Sequence, residues 1–157
     1  MEIIVQLKYL GEVAFAMLLG GIIGVEREFS GKPAGLRTLM LVSGSAALLM
    51  IAGDTILDKY ALKHYDDFIG LDPIRIIQSI IIGISFLGAG TIMLRPEKEQ
   101  VGGLTTAAAI LLAGTVGICV GLHLFILATG ISLMSLIVMS GLRFIDRLII
   151  KIRNKKK

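Results

Sequence analysis

Leu104-Thr105-Thr106-Ala107-Ala108-Ala109-Ile110-Leu111-Leu112-Ala113-Gly114-Thr115-Val116-Gly117-Ile118-Cys119-Val120-Gly121 is the stretch that decides the fold. It carries no charge and is close to the ~20 apolar residues that cross a bilayer. Working outward, four more stretches of this kind fall near Ile3–Gly24, Leu36–Leu57, Ile74–Leu94 and Leu124–Leu142. Gly121-Leu122-His123 makes a tight turn between the last two. The expected architecture is an all-α polytopic integral membrane protein with five transmembrane helices.

The composition agrees. Of 157 residues, 55% are hydrophobic, and mean hydropathy is +0.84. Soluble domains are usually about 45–50% apolar even with Gly counted. The 18% of charged residues cluster between the apolar runs. Net charge is +4 and the pI near 9.4, but the basic residues follow membrane topology, and the chain has no Trp. No base-stacking surface is expected, and no nucleic acid. A single cysteine, Cys119, excludes an internal disulfide and makes no metal site by itself; it reads as packing. The N-terminus lacks a basic signal-peptide region, so the first segment is expected to stay in the mature protein.

Twelve of the sixteen basic residues fall on one side of a five-span arrangement: Arg27, Lys32, Arg37, Arg95, Lys98 and the tail from Arg143. Lys8, Lys59, Lys63 and Arg75 fall on the other. The positive-inside rule then places the N-terminus outside and the C-terminus in the cytoplasm. Residues 1–142 form the transmembrane domain, and residues 143–157 a basic amphipathic tail. Leu142, Ile145, Leu148, Ile149 and Ile152 share one face of that tail, which is expected to lie on anionic lipid. The outer loop from Asp58 to Asp72 also holds Asp66 and Asp67. It reads as a solvated polar loop, because nothing fixes the roughly six oxygens a hard cation needs.

Small residues mark the expected packing faces: Ala16, Gly20 and Gly24; Ser79, Gly83 and Gly90; Ala109, Ala113, Gly117 and Gly121. Gly88 with Gly90 could also break its helix. Offsetting the chain by 68 residues overlays the first hairpin on the second. Leu19-Gly20 meets Leu87-Gly88, Arg27 meets Arg95, Gly35-Leu36 meets Gly103-Leu104, and Thr38 meets Thr106. This suggests a parallel internal repeat. Two helix N-termini carrying Arg37, Thr38, Thr105 and Thr106 would then converge and suit an anion or a partner's carboxylate. The alternative is that Thr caps its own helix and Arg37 anchors at the headgroups. Glu26, Arg27 and Glu28 follow the end of the first helix, with Lys32 in the same short loop; they read as a salt-bridged clasp, a binding surface or a solvated loop.

Charged residues within spans are functional candidates. Glu12 is the deepest. It lies one turn after Lys8, and either pairs with it or serves an ion path. Asp54 and Arg75 are expected to pair across the outer face, with Gln78 and Ser79 one turn below Arg75. His64 and His123 read as isolated.

Taken together, these segments resemble the MgtC/SapB family of bacterial inner-membrane proteins. The pieces are Gly20-Gly21-Ile22-Ile23-Gly24-Val25-Glu26-Arg27-Glu28, Gly31-Lys32-Pro33-Ala34-Gly35-Leu36-Arg37-Thr38, Phe86-Leu87-Gly88-Ala89-Gly90 and Gly103-Leu104-Thr105-Thr106-Ala107-Ala108. Asp72-Pro73-Ile74-Arg75 also fits, and the resemblance runs roughly from Leu10 to Gly121. It is to the N-terminal membrane domain only, since many members continue into a soluble C-terminal domain that this sequence does not include. Many members have a Trp where Ile110-Leu111-Leu112 stands here, and Gly where Ser85 stands.

The resemblance implies a role in magnesium homeostasis and growth under magnesium limitation, without cofactor. Some members act by binding other membrane proteins, including the ATP synthase. The expected function is therefore an accessory or regulatory membrane protein, homo-oligomeric through its small-residue stripes. The alternative is an ion carrier or channel through the repeat interface, with Glu12, Asp54 and Arg75 on the route. No Gly-x-x-x-x-Gly-Lys-Ser/Thr phosphate loop and no nucleophile–base arrangement point to an enzyme.

Overall fold

The computed structural model describes residues 2–61, 73–95 and 100–154. Five helices form: α1 (Glu2–Phe29), α2 (Leu36–Ala61), α3 (Pro73–Gly90), α4 (Leu104–Gly121) and α5 (Phe125–Asn154). A short antiparallel hairpin, β1 (Met93–Arg95) with β2 (Gln100–Gly102), joins α3 to α4 and pairs Leu94 with Val101. By length and composition, Ile3–Phe29, Leu36–Asp58 and Leu104–Gly121 are long and apolar enough to cross a membrane. Ile74–Gly90 and Phe125–Gly141 are shorter apolar helices.

The centre is built by α1, α2 and α4. Small residues allow their backbones to approach, which is the main source of helix association when lipid is as apolar as leucine. A Cβ on Gly117 would overlap the Ser43 carbonyl oxygen, and one on Gly20 the Leu39 carbonyl. At Gly24 it would fall 2.6 Å from the Leu36 Cα, and at Gly121 2.6 Å from the Met50 Cβ. Ala16, Leu19, Ile23, Leu39, Ala46, Met50, Ala113, Val116 and Val120 fill the seam. α3 flanks α2 and α4; α5 flanks α1 and α4. Large apolar residues on the outer faces stay exposed, among them Leu18, Leu41, Ile82, Phe86, Ile126 and Ile137. In a bilayer these are the acyl-facing positions.

Four expectations need comment. α1 runs past Gly24 to Phe29, so Glu26, Arg27 and Glu28 are helical rather than loop. These three residues are compatible with helix, and the turn comes only at Gly31 (φ 59°), where Lys32 N–H reaches the Arg27 carbonyl and Gly31 N–H that of Glu28. That is the left-handed helix stop that glycine favours. Second, the third helix ends at Gly90, not Leu94, because Met93–Arg95 is a strand. Third, of the two places where the α3 stripe is expected to pack, inside the chain or between copies, the first is not seen: among the described residues nothing lies within 4 Å of a Cβ placed on Gly83 or Gly90, and Ser79 is exposed. Ile80, Ile84 and Gly88 are buried instead, and a Cβ placed on Gly88 would lie 3.5 Å from Ala107. Fourth, the internal repeat is not shown: Arg27 lies in a helix and its counterpart Arg95 in a strand, so the two connections differ in structure.

α5 is continuous over 30 residues. The amphipathic tail side chains from Leu142 onward, the terminal Lys155-Lys156-Lys157, and Lys59, Lys63, His64, Asp66, Asp67, Asp72 and Lys98 lie outside the described residues or side chains.

Candidate functional site

The C-terminal end of α1, the start of α2, the hairpin and the start of α4 gather at one end of the bundle, the Arg27 end. The connection Gly121-Leu122-His123-Leu124 sits at the other.

Arg27 organises its end. Its side chain is only 2% exposed. The guanidinium donates from Nε to the Ala34 carbonyl (3.2 Å) and from a terminal nitrogen to the Pro33 carbonyl (2.8 Å). It also reaches the Thr105 carbonyl (3.5 Å) and the Thr106 hydroxyl on α4. This planar fork suits arginine and not lysine. Ala34 holds a left-handed backbone (φ 54°), which accompanies the gathering of the two loop carbonyls around one cation. Beside it, the Glu28 carboxylate accepts the Leu36 N–H at 3.1 Å. The positive end of α2 is thus met by a carboxylate of the same chain.

The expected convergence of two helix N-termini changes accordingly. Thr106 is buried under Arg27, Thr105 lends it a carbonyl, and Arg37 and Thr38 are exposed on the first turn of α2. Neither threonine caps α4. Gly103 does so without a side-chain bond, at φ 90°, where a Cβ would collide with the Thr91 carbonyl. Glu26 accepts hydrogen bonds from the Ser30 hydroxyl at its backbone carbonyl (2.6 Å) and at Oε1 (3.0 Å). Lys32 is exposed.

A cavity of about 640 Å³ opens beside Arg27 between α1, α4 and α5. Glu26, Arg27, Ser30, Lys32 and Thr105 form its polar end; Leu112, Ile131, Met134, Val138 and Met139 are among its apolar walls. The sequence gives no sign of it, because α5 meets α1 and α4 only through the tertiary fold.

At the opposite end Glu12 is 7% exposed. Its Oε1 lies 3.7 Å from Lys8 Nζ, as the spacing predicts, and 3.4 Å from His123 Nδ1, which it does not. Its Oε2 is buried without a hydrogen-bond partner. His123 is therefore not isolated. It stands just past the end of α4 with φ 60°, while Leu124 N–H bonds the Cys119 carbonyl and His123 N–H that of Val120. Glycine usually takes this position; here a histidine does, and its ring turns to Glu12. The Asp54–Arg75 pair does not form: both are exposed, and the described residues contain no ion pair between them. Gln78 and Ser79 are exposed too, so Arg75, Gln78 and Ser79 do not line an interior track. Among the described residues no three His, Cys, Asp or Glu side chains gather to hold a metal.

The MgtC family model matches residues 13–148. The chain belongs to the MgtC family. Similar proteins include "Putative magnesium transporter YhiD" of Escherichia coli, 35% identical over 84% of this chain and 59% of the relative. Protein SapB of Bacillus subtilis is 38% identical over 70% of this chain and 46% of its own length. Protein MgtC of Salmonella typhimurium is 36% identical over 79% and 48%. The chain thus spans about half the length of these curated relatives. No solved structure is significantly similar to it. Family membership and the apolar helices together make this a multi-pass membrane protein in contact with the lipid bilayer.

Proposed function

We propose that the chain is a non-enzymatic inner-membrane protein of magnesium homeostasis that regulates by binding other membrane proteins through its Arg27 end. Membership of the MgtC family and the magnesium in the name of the Escherichia coli relative support the physiological setting. The observation that carries the mode of action is the Arg27 clasp. One buried guanidinium ties the 33–34 loop to the start of α4, and Lys32, Arg37, Thr38 and Thr105 are exposed at that end. The basic residues argue for five spans with this end in the cytoplasm. The unpacked Ser79, Gly83 and Gly90 stripe of α3 suits self-association.

A second reading, ion transport, draws on the unpartnered Glu12 oxygen and on the repeat. Gly20 faces Leu39 as Gly88 faces Ala107, each position shifted by 68 residues. Against it stands the central seam, where Gly20, Ser43 and Gly117 meet at backbone contact.

The test is magnesium flux into proteoliposomes, paired with growth of a deletion strain at low magnesium. The expected result is no saturable flux above protein-free vesicles, and growth rescue that Arg37→Ala abolishes while the protein still folds. Saturable flux that disappears in Glu12→Gln would put transport first.

A further inference from the structure

The cavity beside Arg27 has a charged end and an apolar body, and its charge is unbalanced. Arginine stays protonated in any protein environment. Burying a cation costs several kcal/mol unless it is compensated. Yet Arg27 is held by neutral acceptors alone: three carbonyls and a hydroxyl. Among the described residues no ion pair to Arg27 or Lys32 is found. The Glu26 carboxylate in that wall takes the Ser30 hydroxyl. Among the described lining residues, Arg27 and Lys32 outnumber Glu26, so that part of the polar end is net positive.

The apolar body runs alongside α5 from Met139 back to Ile131, about 12 Å of helix, and includes Met134 and Val138, which are exposed. A ligand can therefore enter sideways from the bilayer. A partner helix is about 10 Å across. An acyl chain is narrower, and the volume lies within the ~300–1,000 Å³ of ordinary ligand pockets.

We propose that this cavity binds one anionic phospholipid, its phosphate beside Lys32 and Arg27 and one acyl chain along Leu112, Ile131 and Met134.

The chain has no Trp, so Met139→Trp places a sole indole in the cavity wall. The protein carrying it is reconstituted in phosphatidylcholine containing a small fraction of either brominated phosphatidylglycerol or brominated phosphatidylcholine. The expected result is about five-fold stronger quenching by the anionic lipid at equal mole fraction, the effect of one well-placed cation near a membrane surface. Lys32→Glu should remove that preference, and Ala108→Phe, filling the cavity from an exposed position, should reduce quenching by the anionic lipid. Helical circular dichroism checks that each variant is folded. Equal quenching by the two lipids in the folded reporter overturns the proposal and points to an acidic segment of a partner protein. Loss of the preference when inorganic phosphate is added also overturns it, making the ligand a free anion.

Discussion

Arg27 spends its side chain on its own fold. Arg27→Lys keeps the charge but cannot reach four acceptors on two segments, so buried oxygens lose their donors. The expected cost is about 2–4 kcal/mol, read as earlier unfolding in a detergent titration. Sequence reading placed Arg27 among binding residues of a loop, although it follows Gly20 and Gly24 at helical spacing on the same face. That spacing was the available signal; the run of alternating charges concealed it. Glu12 is the opposite case. Its partners are 64% (Lys8) and 45% (His123) exposed, so neutralising it strands no buried charge. Glu12→Gln should stay within about 1 kcal/mol of the native stability in the same titration. The Lys8 contact was legible from the i,i+4 spacing, whereas the His123 contact joins positions that only the tertiary fold brings together. At His123 the backbone is left-handed, so His123→Gly should be more stable than His123→Ala by about 1–2 kcal/mol. Equal stabilities would mean that this turn carries no strain.

Helix faces give a paired prediction. Gly117→Ala forces a methyl onto the Ser43 carbonyl, and the helices must part; a loss of about 1–3 kcal/mol is expected. Gly83→Ala meets nothing within 4 Å among the described residues of its own chain, so in the monomer it should be neutral or slightly stabilising, since alanine is the better helix former. Comparing the two variants in one unfolding assay separates packing from propensity. Spacing alone could not do so. The stripes on α1, α3 and α4 look alike in sequence, and in lipid an apolar or small face is acceptable whether or not a neighbour covers it. The apolar runs were legible because bilayer thickness fixes their length. The hairpin after α3 was not, because three-residue strands leave too little pattern to read.

On the scale of the molecule, the split of basic residues predicts which end faces the cytoplasm. Cys119 is the sole cysteine and is buried, so a Cys119→Ala background supports single-cysteine reporters. Ser30→Cys should react with an impermeant maleimide only after lysis, and Leu122→Cys in intact cells. The reverse pattern would invert the orientation.

The clasp also has a consequence for the order of synthesis. The Pro33 and Ala34 carbonyls leave the ribosome soon after Arg27, but the Thr106 hydroxyl follows it by 79 residues. Throughout that interval the nascent chain holds a half-coordinated guanidinium at the membrane, and the last bond of this end closes only when α4 arrives. A ribosome stalled before residue 105 would therefore expose the positive charge that the finished protein conceals, and quality-control proteases would have a local mark by which to tell an unfinished chain from a complete one.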